Sequence, residues 1–165
     1  MSIIVETGEG IEGANSYLGT DESKQLAKVR GLSLPCANED VQKLIYKSMD
    51  YIESHDSQFS GCRTTDTQSL SYPREDGYVG NRLLANDEIP KELKLAQLYA
   101  MVGLNEGIDP MANRSSEPFV TREQVDVLRI DYSVESQYNR NRLTMADKLL
   151  SLLTNGGSII RFVKA

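Results

Sequence analysis

The sequence predicts a mainly α fold: a small bundle of about four helices with a β-hairpin and an extended C-terminal arm, in one domain spanning residues 1–165. Three observations carry this. Apolar residues recur at helical spacing in four separate segments. Between the third and fourth of them the period changes to two, with Leu128, Ile130, Tyr132 and Val134 alternating with Arg129, Asp131 and Ser133. Asn155-Gly156-Gly157 then stops the last helix before a β-prone tail, residues 158–165.

Each element has a local cause. Ile3–Glu6 is short, apolar and β-prone, and runs into a glycine-rich loop from Gly8 to Gly13. The first helix is expected to be capped by Thr20, with Asp21 and Glu22 complementing the macrodipole and Gly31 ending it in the left-handed conformation. The second is expected to be capped by Asn38 and carries Val41, Leu44, Ile45, Ser48, Met49 and Ile52 on one broad face. Residues 57–86 are polar and glycine-rich, a long connection that calls for a function or for packing by its own side chains. The third helix opens at Pro90 and is apolar on most sides from Leu93 to Leu104, as a central helix must be. Val120 and Val125 supply a partner for the alternating strand, with the turn near Asp126. Thr144 is the expected cap of the fourth helix, which runs through Met145, Ala146, Leu149, Leu150, Leu152 and Leu153.

Composition excludes several classes of function. A chain of 165 residues, 39% apolar and 25% charged, can bury a core without disulfide or metal staples. A net charge of −6 argues against a protein whose main task is to coat a phosphate backbone, though not against a local basic patch. Cys36 and Cys62 form no CxxC pair and His55 is the one histidine, too few ligands for a structural zinc. Both thiols are expected to be reduced and partly buried. The opening residues have no basic region followed by an apolar run, and no stretch reaches the length of a bilayer span, so a soluble cytoplasmic product is expected.

No motif assembles a catalytic centre. Gly8-Glu9-Gly10-Ile11-Glu12-Gly13 fits the dinucleotide pattern GxGxxG, but Glu9 and Glu12 would repel phosphate and no helix start follows. A mobile turn is the simpler reading. His55 sits at the end of a polar helix face with no partner base or nucleophile in the pattern, and Arg63 beside Cys62 lacks a paired base. Glu39, Asp40, Asp50 and Glu53 are expected on solvated sides of the second helix. No enzyme activity, metal or cofactor is expected. The one basic-aromatic cluster is Tyr138 with Arg140 and Arg142, near Tyr132. It fits either a phosphate contact or a polar loop, the loop being favoured because Glu135 and Asp147 flank it. The arm, Ile159, Ile160, Arg161, Phe162 and Val163, fits a strand added to another chain's sheet or pairing with Ile3–Glu6.

Several of these residues resemble a known family. Val5-Glu6-Thr7-Gly8 followed by Ala14-Asn15-Ser16-Tyr17 is similar to the opening of small tailed-phage proteins labelled putative DnaT-like single-stranded-DNA-binding proteins. Gln68-Ser69-Leu70-Ser71-Tyr72-Pro73-Arg74 resembles their Gln-x-Leu-x-aromatic-Pro-Arg motif, with Tyr72 where Trp is frequent. Ile89-Pro90 opening an apolar helix is similar too. Val120 to Val125 followed by Ile130-Asp131-Tyr132 resembles the hairpin of phage head–tail adaptors, with Asp126-Val127-Leu128 where a glycine often marks the turn.

The resemblance implies a structural virion protein rather than an enzyme. Copies would form a ring, usually dodecameric, beneath the portal protein in the virion neck. That ring would extend the channel through which double-stranded DNA passes without specific binding, and offer a docking surface to tail or stopper proteins. The candidate contacts are the arm, Ile159 to Val163, and Tyr72-Pro73-Arg74 as a rigid loop contact or a packing corner, the corner being favoured. The alternative is the labelled role, a replication-associated single-stranded-DNA-binding protein using Tyr138, Arg140, Arg142 and Arg74.

Overall fold

The computed structural model describes residues 2–108, 110, 122–125, 128–131 and 143–154, the two short strands among them through their backbone. The elements are α1 (Thr20–Val29), α2 (Asn38–Glu53), a 3-10 turn (Asp56–Gln58), β1 (Cys62–Arg63), β2 (Arg74–Glu75), β3 (Tyr78–Val79), β4 (Arg82–Leu83), α3 (Lys91–Asn105), β5 (Arg122–Val125), β6 (Leu128–Asp131) and α4 (Thr144–Leu150). The strands form three antiparallel pairs, β1–β2, β3–β4 and β5–β6. The mainly α architecture with a β-hairpin is therefore present, and the long connection folds into two further two-stranded ladders.

α3 is the spine and packs against both α2 and α4. Its burial is nearly all-round: Leu93, Ala96, Gln97, Leu98, Ala100, Met101 and Val102 are buried. On α2 the expected face is inside, with Val41, Ile45, Ser48, Met49 and Ile52 buried, joined by Tyr51. Ala146, Leu150 and Leu153 close the core from α4 and the turn after it. Burial of each large apolar side chain contributes about 1.5–3 kcal/mol, so these contacts outweigh any helix propensity.

Helix ends differ from expectation at the caps. Thr20, Asn38 and Thr144 are the first helical residues, after Gly19, Ala37 and Leu143, and none of the three helices has a side-chain cap bond. Asn38 is engaged elsewhere: its Oδ1 accepts from Lys24 Nζ, which also donates to the Cys36 carbonyl and so ties α1 to the start of α2. Gly31 does end α1 with φ +66°, and the Gly31 and Leu32 amides close on the Lys28 and Ala27 carbonyls.

The hairpin has the register Arg122↔Asp131, Glu123↔Ile130, Gln124↔Arg129 and Val125↔Leu128. Tyr132 and Val134, expected in the same strand, lie outside the described residues, as does the arm. At the other end of the chain Ile3–Glu6 makes no regular strand. Val5 forms a parallel bridge with Ser16, and the Asn15 and Glu6 amides bond the Ile4 and Ser16 carbonyls. Cys36 and Cys62 are both exposed, contrary to expectation, because each sits in a short non-helical segment with no apolar face to bury it. No helix among the described residues is long and apolar enough to cross a membrane.

Candidate functional site

The motif Tyr72-Pro73-Arg74 lies in the long connection, and the structure places all of it inside. Tyr72 is fully buried and Arg74 is 7% exposed. The Tyr72–Pro73 peptide is cis. The Tyr72 ring packs edge-on against Phe59 at 5.4 Å between centroids, and the Arg74 guanidinium lies 5.9 Å from the Tyr72 ring centre. Arg74 is held by backbone oxygens: Nε donates to the Ser60 carbonyl, Nη2 to Gly61 and Nη1 to Ser71. Nη1 also meets Asp56 Oδ1 at 2.9 Å. An arginine buried this way ties the 3-10 turn, β1 and β2 into one unit. Tyr72, Pro73 and Arg74, the candidate contact residues, are thus all buried among the described residues, with the Arg74 donors turned to the chain's own oxygens.

Asp56 shows the other side of the pair. Partial burial would raise its carboxyl, but the nearby Ser71 side chain and the guanidinium groups of Arg63 and Arg74 hold it below the usual range. Burial pushes the Tyr72 hydroxyl up to about 12, with Arg74 opposing, and that oxygen has no hydrogen-bond partner among the described residues.

A second buried charge explains the glycine-rich loop. Glu6 is 1% exposed, and its carboxylate accepts from the amides of Gly8, Gly10 and Ile11 at 2.9, 3.0 and 2.7 Å. Consecutive amides turned toward one anion form the kind of nest that cradles phosphate elsewhere. Here the chain's own carboxylate occupies it, so the loop is a pinned turn rather than a mobile one. Gly8, at φ +114°, is required: a Cβ there would collide with the Asp87 carbonyl.

Glu53, expected on a solvated face, is turned inward. Its carboxylate accepts from the Tyr17 hydroxyl, the Ser71 amide and the Ser71 hydroxyl. Burial, and next the Glu53 charge, push the Tyr17 hydroxyl well above its ordinary value. Gln97, the one strongly polar residue in the apolar run of α3, donates to Ser16 Oγ and accepts from the Tyr17 amide. These groups fasten the N-terminal segment and the long connection to the helices. Their sequence signals were a carboxylate directly after an apolar strand-like run and an amide in the middle of an apolar helix.

The full chain, residues 1–165, matches the model of a family described as "Putative DnaT-like ssDNA binding protein". The chain belongs to this family. No curated protein and no solved structure matches it.

In this family member several of the described cations face carboxylates, while Lys28, Arg30 and Lys47 are exposed. Lys43 faces Asp40, Arg63 faces Asp56, Arg82 faces Glu88 and Lys94 faces Glu22. No group of three or more His, Cys, Asp or Glu among the described residues could hold a metal ion. Tyr138, Arg140, Arg142 and the arm residues Ile159, Ile160, Arg161, Phe162 and Val163 lie outside the described residues.

Proposed function

We propose that this protein binds single-stranded DNA through the part of the chain that follows α3, with the helical body as its scaffold. The observation that carries the reading is the partition of charge. Residues 1–108 hold 17 acidic and 10 basic side chains, whereas residues 109–165 hold 7 acidic and 8 basic, and 6 of those 8 are arginine. Within the second part, Tyr132 and Tyr138 stand close in sequence to Arg140 and Arg142. Arginine interleaved with aromatics is the composition that grips a single strand, by phosphate contact and base stacking. The family description supports the same ligand.

The test is a titration of a fluorescent oligothymidylate at several salt concentrations. Binding that weakens linearly in log–log form with salt supports the reading. No binding at low salt overturns it.

A second reading, a head–tail adaptor ring beneath a phage portal, is favoured by the acidic body. Paired cations and excess carboxylate suit a conduit along which duplex DNA slides without being held. On this reading the partners are further copies, the portal and a tail or stopper protein, and the place is the virion neck. Quantitative mass spectrometry of purified virions separates the two. A copy number matching the portal's supports the ring, and absence from virions excludes it.

A further inference from the structure

β2 and β3 are joined by two residues, Asp76 and Gly77. Asp76 has φ +53°, and no other non-glycine among the described residues has a positive φ. That conformation suits glycine; aspartate and asparagine adopt it at some cost. Gly77 has no such need. Its φ lies outside the left-handed region, and a Cβ there would meet the Leu84 and Arg74 side chains at 3.4 and 3.5 Å, ordinary contact distances. The link therefore carries its glycine one place after the residue whose backbone calls for it. Asp76-Gly77 is also the one Asp-Gly pair in the sequence. The Asp76 side chain is exposed, and its carboxylate makes no hydrogen bond or ion pair among the described residues.

We propose that Asp76-Gly77 is a self-modification site, at which aspartate isomerises to isoaspartate in the folded protein. The Gly77 nitrogen attacks Cγ of the protonated Asp76 carboxyl. The nitrogen's proton and the carboxyl hydroxyl leave as water, and a five-membered succinimide closes. Water then adds to one of the two ring carbonyls. Opening at Cγ restores aspartate; opening at the α-carbonyl leaves the main chain running through Cβ and Cγ. Three features favour the step at this pair. The carboxyl is tied to no described group and can rotate onto the nitrogen. Gly77 places no side chain beside that nitrogen. Leaving the left-handed region relieves the Asp76 backbone instead of straining it. The product has a link one atom longer, and there is no room for it. Gly61, at φ +75°, packs so closely on this link that a Cβ there would collide with the Glu75 carbonyl oxygen and the Gly77 nitrogen. The Gly61 carbonyl also holds the Arg74 guanidinium, so the longer link loosens the corner built on Arg74.

The experiment incubates the folded full chain at neutral pH in water enriched in oxygen-18, then digests it with trypsin. Electron-transfer fragmentation of the peptide Glu75–Arg82 locates the heavy oxygen and tells the two linkages apart. Asp76 is expected to gain one heavy oxygen and an isoaspartyl linkage sooner than any other aspartate of the chain. Gly77→Ala, which the space allows, should lose most of this product while keeping its circular dichroism spectrum. Asp76→Asn, which tolerates the same φ, should reach the same pair of products faster, with ammonia in place of water as the group expelled. Converted chains should unfold at lower urea than unconverted ones. Isoaspartate that forms at Asp76 only in urea, or as readily in Gly77→Ala as in the native chain, would overturn the proposal. Equal urea midpoints for converted and unconverted chains would overturn its coupling to the Arg74 corner.

Discussion

The glycine-rich turn and the Tyr72–Arg74 corner solve the same problem with opposite charges. In the first, backbone N–H groups surround the Glu6 carboxylate. In the second, backbone carbonyls surround the Arg74 guanidinium, with Asp56 completing the shell. Irregular backbone exposes donors in one place and acceptors in another, and a single buried charge satisfies each set. The difference lies in range. Glu6 gathers amides two to five residues ahead of it, whereas Arg74 reaches back as far as Asp56, 18 residues away. Both cages are filled from within, so neither is free to take a ligand. The proposed DNA contact is accordingly sought outside these two cages, among the arginines beyond α3.

The long-range cage should be the costlier to break. Arg74→Met leaves three carbonyls without this donor and Asp56 with Arg63 as its one remaining guanidinium partner, and is expected to cost about 3 kcal/mol. Urea unfolding followed by far-ultraviolet circular dichroism measures it. A loss below about 1 kcal/mol would mean that water replaces the guanidinium without penalty. Glu6→Ala should come next, at about 2 kcal/mol, because the amides it frees lie nearer to solvent. Were Glu6→Ala the more damaging of the two, the local cage would be the dominant one and the comparison would be reversed.

pH sharpens the same contrast. The carboxyl of Asp56 is depressed in the folded state, so its contribution is fully present above the unfolded carboxylate value of about 3.9 and is lost as pH falls through the folded value. Stability measured from pH 6 down to about pH 2 should therefore decline less steeply in Asp56→Asn than in the native protein. Equal slopes would remove Asp56 from the account. The smallest effect is expected of Tyr72→Phe. Its hydroxyl is buried without a partner among the described residues, so deleting it should change stability by less than about 0.5 kcal/mol or raise it. A larger loss would reveal a bridging water.

The helices were legible in the sequence because their cause is local periodicity, and the hairpin because its period of two is equally local. The buried face of α2 and the all-round burial of α3 followed from spacing alone. Caps were misplaced at Thr20, Asn38 and Thr144, since a side chain able to cap can be drawn elsewhere, as Lys24 draws Asn38. The glycine pattern reads in the sequence as a mobile turn, because Glu9 and Glu12 would repel phosphate, and the anion its amides hold was not legible. That anion, Glu6, precedes the motif instead of following it. Arg74 was hardest to place. Its acceptors, the Asp56 carboxylate and the Ser60, Gly61 and Ser71 carbonyls, come from separate parts of the long connection that meet only after folding.

The central proposal is that the segment beyond α3 holds nucleic acid while the body carries the excess of carboxylates. The most direct measurement is fluorescence anisotropy of a labelled oligothymidylate across a salt series, on the native chain and on Arg140→Ala/Arg142→Ala. The account predicts that each lost phosphate contact lowers the salt slope by about 0.7, so the double variant should bind more weakly with a slope shallower by about 1.4. An affinity and slope unchanged by the double substitution, or a native protein that does not bind the oligonucleotide at low salt, would contradict it.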